Sequence, residues 1–201
     1  MKKTILVFLS LPLLAGCLSN APRAATNWTL EPLQTSSAIA AKNMLSLHSS
    51  TNLPIVRLGS INVCEPYNTR HFVIIRPNGS FAFDPMNEFA ATPSLLIRST
   101  AENAARATGL FSHVITHNSM ANANQTLELS ISRLAIDCRE KNERRATISL
   151  SLLLSSARAI LAQTSATASV LIPDDQMNFS EAFSKAFEEA FAQAAALLPR
   201  N

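Results

Sequence analysis

Three cysteines, a spaced pair of histidines and two clusters of charge are the residues with chemistry within reach. Cys17 follows Leu14-Ala15-Gly16, behind a positive Met1-Lys2-Lys3 and an apolar run from Thr4 to Leu13 broken only by Ser10 and Pro12. That layout is a secretory signal peptide, too short to cross a bilayer as a helix. Cys64 and Cys138 are the other two thiols. Export favours a disulfide between them. A bridge needs their Cα atoms within about 7 Å, and each Cys stands near the end of a predicted strand. If those strands run antiparallel, the ends lie apart, so both outcomes stay open. His113 and His117 are four apart, a spacing that gathers ligands on a helix but not on the strand and exit loop expected here. Asp174-Asp175 follows Pro173 in a turn. Asp137, Glu140 and Glu143 are interleaved with Arg139, Lys141, Arg144 and Arg145, as at a solvated hairpin tip. There is no His-Glu-x-x-His, Cys-x-x-Cys or Gly-x-Ser-x-Gly. The expectation is a protein without catalytic residues, metal or cofactor.

Leu14-Ala15-Gly16-Cys17 resembles the lipobox of bacterial lipoproteins. The resemblance implies cleavage before Cys17, lipidation of its thiol, and a lipid-anchored mature protein. Leu18, rather than Asp, follows the Cys. By the same resemblance, that favours the outer membrane, with the body facing the periplasm. The chain then divides into a signal peptide (1–16), a lipidated N-terminus and flexible tether (17–27) and one folded domain (28–201). The ten residues from Leu18 to Asn27 reach about 33–36 Å when extended.

The charge balance excludes some partners. Lys plus Arg is 17 and Asp plus Glu 14; loss of Lys2 and Lys3 leaves the mature chain near neutral. With no basic stripe bearing interleaved aromatics, nucleic acid is not an expected partner. A chain of 201 residues that is 47% hydrophobic and 15% charged holds one domain with a real core and is not disordered.

The elements that position these residues follow from periodicity. Trp28-Thr29-Leu30 reads as a short edge strand, Ala38–Leu47 as a short helix and Pro54–Val63 as a strand. Phe72–Arg76 and Ser80–Phe83 flank Pro77-Asn78-Gly79, a hairpin signal. Thr92-Pro93 opens a helix that Gly109 stops. Phe111–Thr116 reads as a strand, and Leu127–Ser132, Ile148–Leu154 and Ala159–Val170 alternate as half-buried strands do. Asn178 and Glu181 form a capping box for a helix in which Phe179, Phe183, Phe187 and Phe191 recur every fourth residue. This stripe is expected to pack on the sheet; lining a lipid groove is the competing reading. The fold class expected is α+β, a single mostly antiparallel sheet of four to six strands packed against two helices.

Across residues 28–198 the order of motifs resembles the ABC-type transport auxiliary lipoprotein family, to which PqiC-like proteins belong. The residues are Trp28-Thr29-Leu30, Glu65-Pro66-Tyr67, Val73-Ile74-Ile75-Arg76-Pro77-Asn78-Gly79, Phe89-Ala90-Ala91-Thr92-Pro93, Gly109-Leu110-Phe111 and Val114. Phe89 stands where the family usually has Trp, residues 33–52 look inserted, and the two body cysteines are not part of the pattern. The resemblance implies a non-catalytic subunit of an MCE-type system moving phospholipids between inner and outer membranes. Its partners would be an MCE-domain periplasmic protein with its ABC permease and ATPase, and the membrane through its lipid. Self-association as a homo-oligomer is left open. An unrelated envelope-assembly adaptor is the alternative, with a periplasmic hydrolase behind it.

Overall fold

The computed structural model describes residues 25–30, 53–173 and 178–199. Cys17, most of the tether, the expected helix over 38–47 and Asp174-Asp175 lie outside the described residues. Eight strands form one sheet: β1 (Thr26–Trp28), β2 (Ile55–Val63), β3 (His71–Ile75), β4 (Phe81–Phe89), β5 (His113–Ile115), β6 (Gln125–Asp137), β7 (Arg145–Ser156) and β8 (Ile160–Leu171). Among the described residues two helices accompany them, α1 (Pro93–Ala107) and α2 (Phe179–Ala196).

β6 is the spine. Along one edge it pairs antiparallel with β7 over its whole length, and β7 pairs antiparallel with β8. Its other edge is shared: β2 runs parallel to the first half, and β3 runs parallel to the end at Ile136 and Asp137. Beyond β2 lies β5, parallel; beyond β3 lie β4, antiparallel, and then β1, parallel to β4. The expectation of a mostly antiparallel sheet of four to six strands is therefore corrected. The sheet has eight strands and is mixed, with four of its seven pairings parallel. Alternation shows that a segment is a strand and which residues share a face, but not which neighbour it meets or in which direction. Parallel neighbours need a crossover. Here the hairpin β3–β4, α1 and β5 intervene between β2 and β6.

Pro85 is why β4 looked shorter from the sequence. Proline is confined to edges and bulges. Here the Asp84 carboxylate accepts from the Met86 and Asn87 amides, at 2.8 and 3.1 Å, and carries the strand past the interruption. Gly59 sits at a register shift in β2, where a Cβ would lie 2.8 Å from Thr126 Cγ2.

Both helices lie on one face. α2 packs on β7 and β8, and α1 on β2, β5 and α2. Leu127, Leu129 and Ile131 of β6 and Ile148, Leu150, Leu152 and Leu154 of β7 point at them and are buried. At α2 Asn178 caps the helix: its Oδ1 accepts from the Glu181 amide at 3.1 Å, and its side-chain amide donates to Glu181 Oε2 at 3.1 Å. Phe179, Phe183, Phe187 and Phe191 are all buried, so the stripe is core. Phe72 of β3 sits among the rings of Phe89, Phe179 and Phe183, with centroids 4.5, 5.2 and 5.4 Å away. Thr92 precedes α1 with extended backbone but makes no side-chain cap bond; Pro93, whose missing N–H is an orphan at a helix start anyway, begins the helix.

Candidate functional surface

The chain enters the sheet at β1, where the tether would meet the body. Strand pairing begins at Thr26, two residues earlier than expected. Three residues of strand hold weakly by themselves, and side chains reinforce them. The Arg70 guanidinium donates to Asn27 Oδ1 (3.0 Å), Glu88 Oε1 (2.6 Å) and the Phe89 carbonyl (3.2 Å). Trp28 Nε1 donates to Asn87 Oδ1 at 3.0 Å, and its ring meets Phe179 edge-on at 5.4 Å. The hydroxyl of Ser180 donates to the Thr29 carbonyl. Tension on a tether would thus reach the sheet and α2 directly.

Among the described residues, no helix covers the opposite face of the sheet. It carries Ser130, Ser149, Ser151, Ser165 and Thr167, with Thr167 Oγ1 donating to Ser149 Oγ at 2.8 Å. At one end stand Phe81 and Phe83, each 55% exposed, across from Ile75 and Val73. The Tyr67 ring packs edge-on against Phe81 at 6.2 Å. Phe81 and Phe83 alternate with Ala82 and Asp84, but the sequence reading assigned them no surface role.

The charged run at 137–145 forms the β6–β7 hairpin tip, turning through Asn142 at φ 62°. Asp137 and Arg139 are paired: Arg139 Nε donates to Asp137 Oδ1 at 2.9 Å, and the Arg139 amide donates to the same oxygen at 3.0 Å. The Arg139 side-chain hydrogen bonds hold the Asp137 carboxyl below its ordinary range, against the opposing effect of burial. A carboxylate with a depressed folded pKa contributes stability that is present above its unfolded pKa, about 3.9, and lost as pH falls through the folded value. Melting temperature should therefore decline from about pH 4 downward, and Asp137→Asn should be less stable than the parent at neutral pH and flatten part of that decline. An unchanged acid profile would show the pair to be without consequence.

Cys64 and Cys138 are free. The Cys64 amide donates to the Ile131 carbonyl, whereas the Cys138 amide, just past the end of β6, donates to the Ile75 carbonyl. Seven residues of β6 separate these places, about 20 Å at a strand's rise, because β2 finishes opposite the middle of β6. Burial pushes the Cys138 thiol up, with Arg144 opposing, so it stays protonated at neutral pH and is a poor nucleophile. His113 lies on β5, and His117 Nδ1 lies 3.2 Å from Arg98 Nη1. Arg57, which the sequence reading passed over, donates to the carbonyls of Thr116, His117, Ser119 and Ala121 and holds that loop. Among the described residues, no three His, Cys, Asp or Glu gather as metal ligands, and no helix is long and apolar enough to cross a membrane.

No family model matches the chain, and no curated protein does. Solved structures do. Protein XCC0632 from Xanthomonas campestris, a DUF330 protein, is 14% identical with a TM-score of 0.56, over 86% of this chain and 88% of that one. An uncharacterized protein is 11% identical with a TM-score of 0.60, over 87% and 95%. Lipoprotein GNA1162 from Neisseria meningitidis is 11% identical with a TM-score of 0.34, over 63% and 88%. At these identities the first two likenesses are of fold: over most of its length the chain is built as the Xanthomonas DUF330 protein is.

Proposed function

We propose that the chain is a lipid-anchored, non-catalytic subunit of an envelope transport system, held at the outer membrane with its body in the periplasm. The reading rests first on the order Leu14-Ala15-Gly16-Cys17, tether, then a β1 pinned by Arg70 and Trp28. An anchored protein needs its leading segment joined firmly to its core, and this one has that join. The transport role and the partner, an MCE-domain protein with its ABC permease and ATPase moving phospholipids, rest on the sequence resemblance over residues 28–198. The DUF330 fold likeness supports a body of this construction.

Capture of the native lipoprotein from membranes, followed by identification of what comes with it, tests the reading. The expected result is co-purification of an MCE-domain protein, and calorimetric binding of the two purified proteins. Binding should not require the lipid, because the capped helices and paired strands make a pre-formed surface. Failure to bind any MCE-domain protein of the same genome at tens of micromolar, with envelope-assembly proteins recovered instead, would favour the adaptor reading.

A further inference from the structure

β8 is an edge strand. Among the described residues, only β7 pairs with it. Natural edges are blunted by charge, proline, brevity or a cover, because bare N–H and C=O groups invite another strand. β8 has few of these defences. Its twelve residues, Ile160–Leu171, contain no charge, proline or glycine, and its one irregularity is a bulge at Leu161. The Ile172 amide donates to the Arg144 carbonyl, continuing the β7 register. Even-numbered residues of β8 therefore turn their backbone groups toward β7. Those of Gln163, Ser165, Thr167, Ser169 and Leu171 face outward.

We propose that a second copy of this chain occupies this edge, its β8 antiparallel to the first about a two-fold axis at Ala166. This goes beyond the transport reading and does not depend on it. A two-fold axis makes the same strand serve both sides, so the test of fit is self-complementarity. Centred on Ala166, Gln163 meets Ser169, Ser165 meets Thr167, and Leu161 meets Leu171. Outward-facing groups then meet outward-facing groups, as hydrogen-bonded pairs must. The two leucines are 41% and 48% exposed in a single copy, and the pairing places them together. Centring on residue 165 or 167 instead sets one leucine against Ser169 or Gln163. No charge of either sign lies between Ile160 and Leu171 to oppose the pairing.

Cysteine cross-linking in the full chain, expressed with its signal segment, reads out both partner and register. Cys64 and Cys138 are first replaced by serine, and that background is the control. Ala166→Cys lies opposite itself at a non-hydrogen-bonded position, where strands approach to about 4.5 Å between Cα atoms, within disulfide reach. Mild oxidation should give a species of twice the chain mass. Gln163→Cys alone and Ser169→Cys alone should not, while the two together should. Ser165→Lys, added to Ala166→Cys, should abolish the dimer without changing the circular dichroism spectrum. A chain that stays monomeric, cross-links no better at 166 than at 163, or joins a species of another mass overturns the proposal.

Discussion

Phe183→Ala and Phe187→Ala should each lower stability by about 3–5 kcal/mol, the usual loss when a buried phenylalanine is cut to alanine. For a chain of this size the fall in melting temperature is on the order of 10 °C. Phe183 is 1% exposed and Phe187 fully buried. The Phe183 ring lies 5.4 Å from Phe72 and 5.5 Å from Phe89, tying α2 to β3 and to the end of β4. Phe187 meets Phe191 at 5.9 Å within the helix. A cavity at Phe183 is bordered by rings that cannot all collapse into it, so its cost should sit at the upper end. Phe81→Ala is the internal comparison. That ring is 55% exposed, and its loss should cost much less. Thermal melts of the three variants decide the matter. Unchanged melting for both Phe183 and Phe187 variants would mean that the stripe is not packed, and would return it to the groove reading.

α2 could be read from residue types alone because several signals agreed there. Asn178 and Glu181 marked the start, and phenylalanine every fourth residue marked one face. β6, β7 and β8 were legible for a similar reason: each alternates over six or more residues, although β6 is buried on both faces at its end, from Leu134 to Asp137. What escaped was pairing. Nothing in Pro54–Val63 tells that it will lie parallel to half of β6 and leave the other half to β3. For the same reason the cysteine separation was undecidable from sequence, since it depends on where along β6 the strand β2 stops. Residues acting through distant backbone were also invisible. Arg57 reaches carbonyls some sixty positions away, and Arg70 reaches Asn27; neither stands in any local pattern. The half-buried alternation implied an open face, but a run such as Ser149-Leu150-Ser151 does not show that its hydroxyls meet others across the strands, as Ser149 meets Thr167.

Cys17→Ala should abolish lipidation and release the protein from the membrane while leaving the body folded. The thiol is the atom to which acyl groups would attach, and no other residue near the N-terminus offers one. A single acyl chain holds a protein only marginally, whereas several hold it stably, so losing the whole group should turn a membrane-bound protein into a soluble one. The described body has no helix able to replace the anchor. The fold should survive, because β1 starts at Thr26 and is held by Asn87, Glu88, Arg70 and Phe179, all distant in sequence from the Cys. The variant is therefore the converse of Phe183→Ala, which should keep its anchor and lose stability. Metabolic labelling with a palmitate analogue, fractionation and a thermal melt separate the two. Cys17→Ala should be unlabelled and soluble, and the released body should melt where the parent body does. A variant that stays labelled and membrane-bound would falsify the lipobox reading, and a soluble variant with a collapsed melt would show that the body depends on its anchor.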